Sequence, residues 1–236
     1  MNIENLISKY KRAKLGEPSS VIPLGKISTE TLNTVKKSLD SKYDLTDPKY
    51  ATSEFVFYDT RRIVAKTKHM MTTKQLFTSL DFDYELFDIV SPIIREIQDQ
   101  IGRFDASLVQ IATLLPQQKL QWHVDTFLYQ QFSNKIHIPL TTNDKAYYDV
   151  LVNGKVLRKN MGLGNFWNIN NLDLHRSINL GDVPRSHLII DFIQEDVLDV
   201  LDNSGINYYH HRLPEMSEKE KRQYVELDEF VKTLNR

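Results

Sequence analysis

From residue 107 onward the chain is a series of short apolar segments, most of them alternating with polar positions and separated by turn residues. Residues 108–115 alternate in part and stop at Pro116, and residues 119–124 form a second run. Residues 135–140 alternate cleanly through Ile136, Ile138 and Leu140. Residues 147–152 and 155–157 flank Asn153-Gly154, a dipeptide suited to the tight hairpin turn whose two central residues both need positive φ. Residues 164–169, 174–178 and 187–193 (HLIIDFI) complete the series, the last being the most apolar and so predicted to be central. Period-two alternation between turn signals marks strands that bury one face. Seven or eight of them in succession predict a double-sheet jelly roll.

The first hundred residues follow a different period. Thr29 is placed to cap a helix running to about Asp40, with Leu32, Val35 and Leu39 on one face. Residues 84–101 carry Leu86, Ile89, Val90, Ile93, Ile94, Ile97 and Ile101, spaced for one buried helical face. Between these helices, residues 55–58 and 62–65 read as two strands of a hairpin around Asp59-Thr60. Residues 1–20 read as a polar lead-in ending in the breaker cluster at 16–20. Residues 215–234 predict a closing helix with Leu227, Phe230, Val231 and Leu234 on one face; it either covers the barrel or mediates a dimer.

The expected fold is therefore mainly β with flanking helices, a double-stranded β-helix of the jelly-roll, cupin-like kind. A length of 236 residues suits one domain. Within it, residues 1–106 supply helices and a hairpin that pack on the barrel, 107–195 form the jelly-roll core with the candidate site, and 196–236 form a helical extension.

Composition narrows the function classes. Thirty basic and 31 acidic residues give a net charge of −1, so no global field favours nucleic acid or an anionic membrane. The absence of cysteine excludes disulfides, thiol catalysis and cysteine-ligated zinc. No stretch approaches the roughly 20 apolar residues of a membrane span, and the N-terminus has no apolar signal core. The expectation is a soluble, cytoplasmic protein, monomeric or homodimeric, acting on a small molecule or a polypeptide.

The chemistry is concentrated in QWHVD at 121–125. His123 and Asp125 are i and i+2, so on a regular strand both point to one face, and His175 lies on a later strand. Two imidazoles and one carboxylate are the ligand set of a non-haem Fe(II) centre that keeps positions open. The competing reading is a surface H-x-D pair and an unrelated histidine. Arg185 enters the central strand, where a buried guanidinium needs an anion. That anion is either a ligand carboxylate or a structural partner such as Asp182 or Asp191. His137 alternates with Ile136 and Ile138, so it lines the interior if those isoleucines face the helices. Otherwise it is a satisfied core or surface histidine. Trp122 and Trp167 suit a core or pocket wall, Arg61-Arg62 a solvated hairpin, and His210-His211 lacks a carboxylate at ligand spacing.

Residues 119–193 resemble the aspartyl/asparaginyl β-hydroxylase branch of the Fe(II)/2-oxoglutarate-dependent oxygenases, which includes related free-proline hydroxylases. The resemblance is carried by H-V-D at 123–125, K-I-H-I-P-L at 135–140, H-R-S-I-N at 175–179 and R-S-H-L-I-I-D-F at 185–192. Residues 20–70 are similar to that branch more weakly, and the C-terminal forty residues are not. The resemblance implies that His123, Asp125 and His175 ligate Fe(II). It further implies that Arg185 holds the distal carboxylate of 2-oxoglutarate, and that His137, with Lys135 as a weaker candidate, contacts the carboxylate beside the keto group. Asn179 matches an asparagine of the branch with no assigned role. Some animal members replace the metal-binding aspartate, whereas Asp125 is kept here, so the resemblance implies the fuller triad and does not carry over their peptide substrate.

The implied activity is a dioxygenase using Fe(II), 2-oxoglutarate and O₂ to hydroxylate an amino-acid side chain, free or as a protein Asp, Asn or Pro residue. Two other classes fit the same barrel. A cupin-type isomerase or hydrolase keeps the metal ligands and has no need of Arg185. A non-catalytic jelly-roll binding protein needs neither.

Overall fold

The computed structural model describes residues 21–48, 61–65, 82–102, 104–125 and 127–205. The predicted strand at 55–58 with its Asp59-Thr60 turn, the lead-in 1–20, the closing helix 215–234 and His210-His211 lie outside these residues. Among them, no helix is long and apolar enough to cross a membrane.

Ten strands and three α-helices are described. In chain order they are β1 (Val21–Lys26), α1 (Thr29–Lys42), β2 (Arg61–Ala65), β3 (Phe82–Asp83), α2 (Tyr84–Ile101), β4 (Phe104–Leu114), β5 (Asn134–Thr141), β6 (Ala146–Val152), β7 (Lys155–Lys159), β8 (Asn165–Ile169), β9 (His175–Asn179), β10 (Arg185–Gln194) and α3 (Glu195–Asp202). A 3₁₀ turn, Leu128–Gln131, precedes β5. The larger sheet has the order β1-β8-β5-β10-β4-β2-β3 and the smaller β7-β6-β9. All pairings are antiparallel except the short β2–β3 contact. Two opposed antiparallel sheets with helices on the outer face of the larger one make the jelly roll.

The helices are where their periodicity puts them. Helix α2 buries Leu86, Val90, Ile93, Ile94 and Ile97 together with Leu32, Val35 and Leu39 of α1. Their partners on the sheet are Val109 and Ile111 of β4, Ile136 and Ile138 of β5, and Leu188, Ile190 and Phe192 of β10. Asp83 caps α2 by accepting hydrogen bonds from the amides of Glu85 and Leu86. The cap of α1 is Ser28, not Thr29, its hydroxyl accepting from Thr31 N at 3.2 Å. The hairpin turn forms as expected, with positive φ at Asn153 (50°) and Gly154 (74°).

Two departures bear on the site. Strand β1 is the edge of the larger sheet although VIPLGK contains Pro23 and Gly25, which interrupt its alternation; the register shifts between those residues. The predicted strand at 119–124 is irregular. It follows β9 only through isolated bridges, Lys119 to Ile178 and His123 to His175. His123 and Asp125 therefore do not share a face by strand alternation. Each is placed by its own backbone contacts.

Burial of one face of β10 on the helices forces its other face inward. Because side chains alternate, Leu188, Ile190 and Phe192 meet α2 and leave Arg185, His187, Ile189 and Asp191 between the sheets. Across the β5–β10 ladder His137 lies opposite Ile189 and Lys135 opposite Asp191, so these two line the same interior. The outward isoleucines decide the position of His137, as the alternation at 135–140 predicts.

Candidate active site

Ligand atoms of His123, Asp125 and His175 all lie within 4.8 Å of one another. The two histidines are held by a reciprocal backbone pair, His123 N to His175 O at 3.0 Å and His175 N to His123 O at 2.9 Å. Each ring is then fixed by a carbonyl two residues earlier. His123 Nδ1 lies 2.8 Å from Gln121 O, and His175 Nδ1 lies 2.8 Å from Asp173 O. A carbonyl only accepts, so each Nδ1 carries the proton and each Nε2 presents a lone pair. This is the outer hydrogen bonding that orients imidazoles toward a metal. Burial lowers the pKa of His175, although Asp125 acts in the opposite direction, and the ring is kept as the neutral, ligating form.

Asp125 is anchored through its amide to Asn171 O at 3.0 Å. Its Oδ2 accepts from Asn171 Nδ2 at 3.2 Å and pairs with Lys135 Nζ at 2.6 Å. Burial alone would raise the carboxyl's pKa. Lys135, His175 and His123 more than offset that, so it lies well below the usual carboxylate range. The group is an anion ready to ligate. Lys135 also stands 3.9 Å from Asp191 Oδ1.

A file of side chains leads inward from this cluster. Tyr148 stacks on His175 with centroids 5.5 Å apart, His137 meets Tyr148 edge-on at 5.8 Å, and His187 meets His137 at 5.6 Å. Arg185 closes the file, donating from Nη2 to His187 Nδ1 at 3.0 Å. Neither Asp182 nor Asp191 pairs with it. Among the described residues Arg185 has no carboxylate partner, although it is only 3% exposed. Burial pulls its pKa down to about 9, so it remains a cation at neutral pH. Tyr148 is raised well above its ordinary value by burial and by Asp125, so its phenol keeps its proton. Among the described residues, Tyr148 Oη, Trp167 Nε1 and Gln110 Oε1 are buried without a hydrogen-bond partner. The Tyr148 phenol interacts electrostatically with the buried Arg185 guanidinium, and an open phenol beside a cation suits an anionic ligand.

The same burial makes stability depend on pH. His137 is held well below the ordinary 6.5 by burial, Arg185 and Lys135, and His187 by burial, Arg185 and His137. Below pH 6.5 the unfolded chain takes up protons that the folded protein refuses. Stability is therefore lost as pH falls through that value, at up to about 1.4 kcal/mol per pH unit for each imidazole. Melting followed by circular dichroism should show Tm falling from pH 7 to pH 5, with a smaller slope in His187→Gln. A flat profile would contradict the buried neutral pair.

Asn179 has a structural role. Its Nδ2 donates to Val183 O at 2.9 Å and to the Leu114 and Leu115 carbonyls at 3.1 Å. Its Oδ1 accepts from Gly181 N and Asn143 Nδ2, both at 3.1 Å. One fully buried amide thus ties the exit of β4 to the loop that delivers Arg185. A side chain at Gly181 would meet the Asn143 amide, which would have to shift. Asn179→Ala is expected to cost about 2–5 kcal/mol, because several buried groups lose their partner at once. Urea unfolding measures it, and a loss under about 1 kcal/mol would refute this role.

Other candidates are structural. Asp149 is fully buried and paired with Arg158 and Arg176, and Arg176 lies over the Trp122 ring at 4.6 Å. Trp167 packs against the core cluster of Tyr148, Met161 and Ile169. Four residues of the site had no role in the sequence reading: Tyr148, His187, Asn171 and, as a partner of Lys135, Asp191. For His187 a signal existed, since it is two residues from Arg185 on one strand and must share its face.

No protein-family model matches the sequence, and no curated protein matches it. Solved structures with a similar chain path include a viral collagen prolyl hydroxylase from Paramecium Bursaria Chlorella virus-1 in a 2OG complex. That match has TM-score 0.48 and 10% identity, covering 77% of this chain and 99% of that one. Another is a 2OG-Fe(II) oxygenase family oxidoreductase from Burkholderia pseudomallei, with TM-score 0.46, 13% identity, and 82% and 90% of the two chains covered. A cupin domain from Bordetella pertussis matches at TM-score 0.29 and 15% identity, over 36% of this chain and 79% of its own. The jelly roll stands on the sheets themselves, and the chemistry of the site on its side chains.

Proposed function

We propose that the protein is an Fe(II)/2-oxoglutarate-dependent dioxygenase that hydroxylates an amino-acid side chain, free or within a polypeptide. The observation that carries this reading is Arg185, a buried cation with no carboxylate partner among the described residues, at the far end of a file of rings that starts at the candidate ligand triad. The donor set fits the metal: two imidazole Nε2 atoms oriented by carbonyls and one ionised carboxylate. The Arg185 end of the file suits a dicarboxylate, since Arg185 offers a bidentate fork and Tyr148 an open phenol. A divalent ion adds two positive charges to a buried site, and a dianionic ligand cancels them. The two are therefore expected to bind cooperatively.

In this reading His123, Asp125 and His175 hold the iron. Arg185 and Tyr148 take the distal carboxylate of 2-oxoglutarate, and His137, with Lys135 as second candidate, orients the carboxylate beside its keto group. Bound together, iron and 2-oxoglutarate supply the oxidising power: O₂ is consumed, 2-oxoglutarate becomes succinate and CO₂, and a substrate C–H becomes C–OH. The chain's own contribution is orientation and exclusion of water, as none of these residues is placed as an acid or base catalyst. The amino-acid substrate class rests on the resemblance of residues 119–193 to the β-hydroxylase branch. Incubation with Fe(II), 2-oxoglutarate and a panel of amino acids and peptides should release succinate, with an oxygen-atom gain in one panel member. Absence of succinate in a protein that also binds no iron would sink the proposal.

A further inference from the structure

Lys135 stands between two buried carboxylates. Its ammonium is 2.6 Å from Asp125 Oδ2 and 3.9 Å from Asp191 Oδ1, and its side chain is 9% exposed. The second carboxylate is placed by the fold. Asp191 is the residue opposite Lys135 across the β5–β10 ladder, is fully buried, and accepts from Tyr129 Oη at 3.2 Å through its other oxygen. The first is a member of the His123, Asp125, His175 triad. The ammonium thus sits on one oxygen of the carboxylate that a metal ion in the triad would use, and two cations on one carboxylate in a buried site repel each other strongly. Moving the ammonium out of the protein would take a cation away from the buried Asp191. Turning it toward Asp191 keeps both charges paired within the interior.

We propose that Lys135 is a placeholder cation for the metal site: it holds Asp125 in the empty protein and is handed to Asp191 when a divalent ion occupies the triad. Asp191 is then a positioning residue for metal binding, though it is not a ligand. The exchange rests on the reading of the triad as a metal site and goes beyond it, because it assigns Lys135 a role opposed to the metal and Asp191 a role that depends on Lys135.

Zn²⁺ affinity, measured by competition with a chromophoric chelator, tests this in wild type, Lys135→Met, Asp191→Asn and the double variant, with folding checked by circular dichroism. Lys135→Met should bind Zn²⁺ more tightly than wild type. Asp191→Asn should bind about tenfold more weakly or worse, because the displaced ammonium has lost its acceptor. In the Lys135→Met background the same change should matter less than about twofold. Asp191→Glu should retain much of the wild-type affinity. An equal loss from Asp191→Asn in both backgrounds, or weaker binding by Lys135→Met, would overturn the exchange while leaving the metal site intact. A wild-type protein that binds no Zn²⁺ would overturn both. If Asp191→Asn does not fold, a crystal structure of the Zn²⁺-loaded wild type decides: Lys135 Nζ should bond Asp191, and Nζ still on Asp125 refutes the exchange.

Discussion

Replacing Arg185 by methionine is expected to raise the melting temperature of the ligand-free protein while abolishing the proposed use of 2-oxoglutarate. The two effects have one cause. Arg185 is buried, charged and bonded only to neutral His187 among the described residues, so the empty protein carries an uncompensated cation. Substituting apolar groups of similar volume for buried charges stabilises proteins by about 1–4 kcal/mol in favourable cases. For a chain of this length that is about 2–4 °C in Tm per kcal/mol. With a dicarboxylate bound, the same guanidinium gains its anion, and losing one partner of such a pair costs about 2–5 kcal/mol of binding, or roughly 30- to 4000-fold in Kd. Arg185→Lys should recover little, since a lysine keeps the charge without the fork. Calorimetry and thermal melting test both halves. A variant that is less stable and still turns over would return the protein to the cupin-type reading, which has no need of this arginine.

The second large effect is expected from His175→Ala. Its backbone amide and carbonyl, which pair with His123, survive the substitution, so the bridge between residue 123 and β9 remains. What is lost is one ligand and the ring on which Tyr148 stacks. Changes behind a metal's ligands cost roughly 10–100-fold in affinity, and removal of a ligand itself should exceed that. Iron content by mass spectrometry after anaerobic reconstitution should drop far below one per chain, with succinate release abolished. Unchanged iron content and turnover would mean that the triad is not the metal site. Function retained without metal would favour the binding-protein alternative.

Local pattern carried the large elements and failed at the irregular ones. Helix α2 was legible because its apolar residues recur at helical spacing over 18 residues, and its Tyr84 and Ile101 ends match the sequence reading. The Asn153-Gly154 turn was legible because few other dipeptides accept positive φ twice. Strand β1 was not, since Pro23 and Gly25 mask its alternation and its place is set by pairing with β8. The segment at 119–124 was misread as a regular strand, because its side chains are oriented by single contacts with β9 and Asn171 rather than by a ladder.

The sequence by itself determined the candidate residues: two imidazoles and a carboxylate able to ligate, an arginine entering the central strand, and a His137 that alternates with two isoleucines. These follow from residue type and from a two-residue period, both local properties of the chain. Only the tertiary structure decided partnership. It put Lys135 on Asp125 with Asp191 alongside, left Arg185 without a carboxylate partner among the described residues, and stacked Tyr148 on His175 within electrostatic reach of that arginine. Those contacts join residues tens of positions apart through strand register and the opposition of two sheets. Register is a property of pairing between segments, and no segment encodes it alone.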